Sequence, residues 1–297
     1  MSVIRLLALD IDGTILAPDG ALSARVRRAI GAAQARGIVV ALATARRWAG
    51  VRELAGELGL AGPVILYDGA LVCDFPSGAR RMRWTLDPAH ALTAARTMGA
   101  HELQVIAQYR DQRGERLLVS ADPPHPDWTA SYLERFHDQA TYFTLEDAAA
   151  LAPRMLRLCA FGEVEPLRAA FDALDASPLG RQLMPMGGYD QAELTLFAPE
   201  ASKGAGMRWL ARQYDIPLAQ TMAIGDGVND VSMLQAAGLG VAMGNAAPEI
   251  QREADAVTAD NTEDGAALAI ERYALEADAP LPRGDLTNDT NDAERSA

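Results

Sequence analysis

The segments DIDGT (residues 10–14) and GDGVND (residues 225–230) each set two carboxylates close together behind an apolar run. Asp10 and Asp12 are two residues apart, so on an extended backbone they face the same side. One aspartate after a strand is an ordinary turn former, but four acids converging on one place would conflict. Two like charges about 4 Å apart at an effective dielectric near 20 repel by about 4 kcal/mol. A hard divalent cation resolves this, and Mg²⁺ suits a few carboxylates that leave room for water or substrate oxygens. The further ligand positions and terminal Glu of a calcium-binding EF-hand loop are missing. A second positive charge is at hand in Lys203, the only lysine among 27 basic residues. An ammonium is a compact point charge that fits where a planar guanidinium does not. Acids, a hard metal and one ammonium together suit phosphoryl transfer. Asp10, at a strand end, is then the candidate nucleophile that would form an aspartyl-phosphate. Asp12 is the candidate general acid and base, and Asp226 and Asp230 are candidate metal ligands.

These residues must be brought together by the elements that carry them. Five apolar runs of strand length, VIRLLAL, IVVALA, PVILY, TMAIG and LGVAMG, end just before or in polar residues, among them Asp10, Thr44, Asp68, Asp226 and Asn245. Continuous apolar runs suit parallel strands buried on both faces. Helical stretches over 22–37, 203–215 and 231–238 alternate with them, which predicts a doubly wound α/β sheet. Ligands of such sheets bind beyond the carboxyl ends of the strands, where the polar residues fall.

From about residue 80 to 190 the pattern changes to mixed runs such as LQVIAQY, RLLVSA, TYFTL and MLRLCAF, with helical stretches near 88–99 and 164–175. This predicts an inserted α+β cap domain over 80–190, with the core at 1–79 and 191–275. The segment 276–297 carries six acids and two arginines and few large apolar residues, a composition expected to be disordered.

Composition narrows the function classes. With 49% hydrophobic and 23% charged residues the chain reads as globular, and no apolar run approaches the ~20 residues of a membrane helix. The opening residues lack a signal-peptide pattern, so a cytoplasmic protein is expected. A formal net charge of −13 disfavours nucleic acid and anionic membranes as partners. Cys73 and Cys159 sit in apolar stretches without metal-ligand spacing and read as buried free thiols.

DIDGT, Thr44 in ATARR, Lys203 in SKG and GDGVND, in this order with an insertion between the second and third, resemble the four motifs of the haloacid dehalogenase superfamily of phosphatases. The insertion's length and GNA at 244–246 resemble the Cof-like branch with a large α/β cap. The resemblance implies Asp10 as nucleophile, Asp12 as acid and base, Thr44 as hydroxyl donor to phosphoryl oxygens, and Lys203 as the charge linking nucleophile and phosphate. It implies a phosphate-binding set of Gly13, Thr14, Thr44, Ala45, Lys203 and Asn229. Mg²⁺ would be held by the side chains of Asp10 and Asp226 and the backbone carbonyl of Asp12, with Asp230 nearby through water. The expected partner is a small phosphorylated metabolite, a sugar phosphate or similar.

Two positions depart from the family's pattern. Ala45 stands where Gly is usual, which stiffens the loop, and Asp68 in YDGA stands where this branch commonly has Asn, adding a negative charge near the mouth. Blander readings apply elsewhere: Arg46 and Arg47 as a solvated helix start, and His90, His101, His125 and His137 as ordinary surface or core histidines. PPHPDW (123–128) is a rigid turn whose aromatic is a candidate wedge over the substrate. Transfer of phosphate to a second sugar, as in a mutase, and a non-catalytic phosphoaspartate signalling module are the competing functions. The doubled aspartate and long insertion argue against the latter, and no G-x-G-x-x-G follows the first strand to support dinucleotide binding.

Overall fold

A computed structural model of the protein describes residues 3–111, 114–121, 129–130, 133–134, 136–144, 154–186 and 191–276. PPHPDW, including His125, and the acidic tail beyond Glu276 lie outside the described residues. The elements run from β1 (Leu6–Leu9), α1 (Ala24–Ala35), β2 (Val39–Ala43), α2 (Arg52–Glu57) and β3 (Pro63–Leu66) to β4 (Leu71–Asp74) and β5 (Arg80–Arg83). Next come α3 (Pro88–Ala100), β6 (Ile106–Asp111), β7 (Gly114–Ser120), β8 (Ala140–Phe143), β9 (Met155–Glu163), α4 (Val164–Ala173), β10 (Gly180–Met186) and β11 (Gln191–Phe197). The C-terminal part holds α5 (Lys203–Gln213), β12 (Thr221–Gly225), α6 (Val231–Leu234), β13 (Leu239–Ala242), α7 (Pro248–Gln251), β14 (Ala256–Val257) and α8 (Gly265–Ala269). No helix among the described residues is long and apolar enough to cross a membrane.

The chain divides into two compact units. The first comprises Met1–Thr44, Leu54–Val64 and Lys203–Ala297. Its strands lie in the order β14, β13, β12, β1, β2, with β3 next, and the pairings from β14 to β2 are all parallel. β1, β12 and β13 are buried along their whole length, as strands covered on both faces must be. From β1 the chain builds outward to β2 and β3 on one side, and later to β12, β13 and β14 on the other. Right-handed crossovers then put the connecting helices on opposite faces, the doubly wound α/β arrangement. The order reverses between β1 and β12, where such a sheet opens a crevice at its carboxyl edge.

α1 starts where Ser23 accepts a hydrogen bond from the Val26 amide, a standard N-cap. It buries Val26, Ala29, Ile30 and Ala33, spaced three and four residues apart to form one face.

The second unit comprises Ala45–Glu53 and Ile65–Ser202. Its main sheet has the order β10, β11, β9, β6, β7, β8. The pairs are antiparallel apart from β7 with β8. α3 and α4 pack on one face around Leu103, Leu158, Leu167 and Leu194. Separately, β4 and β5 pair as an antiparallel hairpin. Cys73 and Cys159 are buried free thiols, and burial pushes them up to about 11 and about 12 respectively.

Two readings of this unit are corrected. Arg47 is not solvated: it is 6% exposed, its guanidinium lies 3.7 Å from the centre of the Phe136 ring, and Nη1 donates to Gln139 Oε1 at 2.9 Å. Stacking on an aromatic face accounts for its burial. Asp68 is also buried, with φ +52°, and its Oδ2 faces Arg157 Nη1 at 3.6 Å. Its charge is countered inside the unit, which removes the free negative charge expected of it.

Candidate active site

β1 ends at Leu9, and the Asp10 amide still donates to the Ile224 carbonyl of β12 at 3.0 Å. That last ladder bond fixes Asp10 at the switch point. The chain then wraps tightly, with the amides of Thr14, Ile15 and Leu16 all directed at the Ile11 carbonyl. Gly13 makes the wrap possible: its φ is +81°, and a Cβ there would stand 2.2 Å from Asp226 Oδ2. Only glycine permits both the conformation and the approach.

The GDGVND loop leaves β12 beside it. Asp230 Oδ2 accepts from the amides of Asp226 at 3.1 Å and Gly227 at 2.9 Å, so this carboxylate shapes its own loop. Its Oδ1 accepts from Lys203 Nζ at 2.6 Å. The same ammonium donates to Asp10 Oδ1, also at 2.6 Å. Lys203 is the first residue of α5 and is 1% exposed. The Gly204 amide donates to Ser232 Oγ at 3.1 Å, anchoring the start of α5 beside α6.

Oxygens of Asp10, Asp226 and Asp230 lie within 4.8 Å of one another. Three carboxylates against one ammonium leave two negative charges without a counterion. Burial, then Asp230, hold Asp10 well above the usual carboxylate range despite Lys203. Burial, followed by the Asp230 charge, pushes Asp226 up to about 6. Oxygen-only donors with a residual charge of minus two fit a hard divalent cation such as Mg²⁺.

Asp12 is exposed, and its charge bears on Asp226. Thr14 Oγ1 donates to Asp226 Oδ1 at 3.0 Å. Thr44 is buried directly after β2. The parallel register of Leu9 beside Leu42 sets it at the same sheet edge as Asp10, one strand over, about 4.8 Å away in the pairing direction. Asn229 is half-buried in the turn before Asp230. Ala45 falls in the second unit, where its carbonyl accepts from Arg157 Nη1 at 3.5 Å.

Sequence reasoning put Asn245 at the rim without a task. Its Nδ2 donates to the Gly13 carbonyl at 2.9 Å and to Asp226 Oδ2 at 3.3 Å, while its Oδ1 accepts from the Asn261 amide at 3.0 Å. Asn261 Nδ2 in turn donates to the Leu16 carbonyl at 2.8 Å. Ser232 and Asn261 escaped notice, because a lone Ser or Asn in a loop carries no spacing signal.

A family model described as haloacid dehalogenase-like hydrolase matches residues 7–270. The chain belongs to that family. Phosphatase YwpJ of Bacillus subtilis is 32% identical over 286 residues, spanning 89% of this chain and 97% of its own. The 5-amino-6-(5-phospho-D-ribitylamino)uracil phosphatase YcsE of the same organism is 26% identical, spanning 92% of this chain and 96% of its own. A solved haloacid dehalogenase-like hydrolase from B. subtilis superposes with a TM-score of 0.72 at 27% identity, covering 90% of this chain and 99% of that one. Within the haloacid dehalogenase-like hydrolases this chain is a Cof-like phosphatase. That sets aside the signalling-module alternative.

Proposed function

We propose that this phosphatase hydrolyses a phosphate monoester of a small metabolite, a sugar phosphate or similar, through an aspartyl-phosphate on Asp10 and with Mg²⁺ as cofactor. The observation carrying the reading is the shared ammonium: Lys203 Nζ stands 2.6 Å from both Asp10 and Asp230, inside a cluster that also includes Asp226.

In the first step a carboxylate oxygen of Asp10 attacks phosphorus, the bond from phosphorus to the leaving oxygen breaks, and Asp12 gives that oxygen its proton. Asp12 is exposed to solvent, whereas buried Asp10 is held in place by Lys203. In the second step water attacks phosphorus, its proton passes to Asp12, and the bond to Asp10 breaks to release inorganic phosphate. The Thr44 hydroxyl and Asn229 amide are assigned to the phosphoryl oxygens, beside Gly13, Thr14 and Ala45. Asp10, Asp226 and Asp230, with the Asp12 backbone carbonyl, would hold the metal, which when bound supplies positive charge to the transferring group. The second unit is assigned the choice of leaving group.

The curated relative YcsE, named for a phosphorylated ribitylaminouracil, supports a small phosphorylated substrate. The test is a screen of phosphorylated sugars, nucleotides and cofactors with Mg²⁺, measuring phosphate release by wild type and by Asp10→Asn. Release by wild type alone supports the reading. No release by wild type from any compound overturns it, and phosphate recovered on a second sugar would assign a mutase instead.

A further inference from the structure

The second unit contains a cavity of about 460 Å³ whose charged lining is Arg80, Arg83, Arg110 and Arg154, with Asp111 as the one acid. In a chain with a formal net charge of −13, four guanidinium groups against one carboxylate concentrate positive charge where nothing in the proposed hydrolysis uses it. All the residues lining it belong to the second unit.

The backbone is shaped to produce this lining. Arg80 and Arg83 are three apart on β5, and on a regular strand they would face opposite ways. The β4–β5 register shifts between Val72 and Cys73, so Arg80 pairs with Cys73 and Arg83 with Leu71. Cys73 and Leu71 are two apart and share a face; the bulge therefore brings both arginines to it. A second shift lies where Gln108 pairs with Arg157 but Tyr109 pairs with Met155, leaving Leu156 as the extra residue. Leu156 lines the same cavity. Bulges of this kind re-aim side chains beside binding sites.

Arg110 is held in position. Its guanidinium carbon lies 5.0 Å from the centre of the Trp48 ring, and Nη1 donates to Cys73 Sγ at 2.9 Å. Glu115, its cross-strand neighbour, instead accepts from the Trp48 and Ala49 amides and from the Tyr67 hydroxyl. Gly78, with φ +67°, leaves the space that Arg110 enters, since a Cβ there would come 2.8 Å from Nη2. Among the described residues Arg80, Arg83 and Arg154 have no ion pair, whereas the adjacent Arg81 pairs with Asp74 at 3.5 Å.

We infer that this cavity binds a small molecule carrying a diphosphate. Planar guanidinium groups bind phosphate oxygens in pairs, and the volume falls within the range of about 300–1,000 Å³ usual for small-molecule sites. One phosphomonoester brings a charge of about −1.5 to −2, less than the net of plus three offered here, so two linked phosphates match better.

The experiment is calorimetric titration of the full chain with inorganic pyrophosphate in EDTA, where the metal-free carboxylates of the first unit repel anions. One site is expected, binding pyrophosphate at least about 10-fold more tightly than inorganic phosphate. Arg80→Gln/Arg83→Gln should weaken it at least about 10-fold, and Arg154→Gln measurably, while Lys203→Met leaves it unchanged. Circular dichroism and a thermal melt check that each variant is folded; Leu156→Glu, which adds a negative charge to the lining, serves as the second probe if the double variant is not. The inference is overturned by no binding to wild type, by unchanged affinity in the folded arginine variants, or by loss in Lys203→Met. Tighter binding of an oligothymidylate than of pyrophosphate would also overturn it, by making the surface a general polyanion patch.

Discussion

Thr14 Oγ1 donates to Asp226 Oδ1 at 3.0 Å, tying the loop behind β1 to the loop behind β12. Gly13 completes the junction by lying directly against the same carboxylate. Gly13→Ala should therefore disturb two loops at once. The left-handed conformation alone costs about 1–2 kcal/mol for a residue with a Cβ, and the contact with Asp226 forces a further shift. A shift of about 1 Å in the nucleophile loop is expected to lower kcat/KM by about 100-fold. Steady-state kinetics with a substrate found by the phosphate-release screen would check this; activity within a factor of two of wild type would show that the junction tolerates displacement.

Lys203 is buried between two carboxylates, and removing it leaves them facing each other. Lys203→Met should destabilise the metal-free protein by about 3–5 kcal/mol, the usual cost of breaking a buried ion pair from one side. Lys203→Arg should not restore activity, because a planar fork does not fit where a single ammonium reaches both Asp10 and Asp230. Urea denaturation in EDTA measures the first expectation, and a loss under about 1 kcal/mol would contradict it.

The parallel sheet was legible because each of its main strands is a continuous apolar run ending near a polar residue, a pattern set by burial on both faces. Asp10, Asp226, Asp230 and Lys203 were legible because acids at short spacing and a solitary lysine are statements of local sequence. What was hidden depends on distant partners. Arg47 reads as solvated until Phe136 and Gln139, about ninety positions on, are seen to enclose it. β11 carries Glu193 in its middle, which weakens its strand signal, yet that charge is met by Arg157 Nη2 at 2.9 Å. Asn261 and Ser232 bind backbone groups of other segments, which no spacing rule can anticipate.

Arg157 holds the second unit's buried charges together. Nη1 faces Asp68 at 3.6 Å, Nη2 meets Glu193 at 2.9 Å, and Nε donates to Gln108 Oε1 at 3.0 Å. Arg157→Met is expected to cost about 3 kcal/mol or more by taking the guanidinium away from one buried and one half-buried carboxylate. Adding Glu193→Gln should recover part of that loss, because an amide needs no counter-charge. Paired denaturation curves test the coupling; a double variant no more stable than the single would show that Glu193 draws its stability from elsewhere.

Metal and pH act on the same carboxylates. Asp226 rises from its ordinary value of 3.8 to about 6 in the folded protein, and burial moves Asp10 in the same direction. Between these values the folded state binds more protons than the unfolded one, so stability falls as pH rises through the interval and stays lost above it. For Asp226 the loss is on the order of 3 kcal/mol, at about 1.4 kcal/mol per unit. Asp226→Asn should therefore raise the melting temperature of metal-free protein at about pH 7.5 and by roughly half as much at about pH 5, midway between the two values. Mg²⁺ should raise the wild-type melting temperature more at the higher pH, where the carboxylates are ionised, and should do so much less in the Asn variant. Melting curves in EDTA and in Mg²⁺ at both pH values decide the matter. An equal Mg²⁺ effect on wild type and variant would mean that Asp226 is not a ligand.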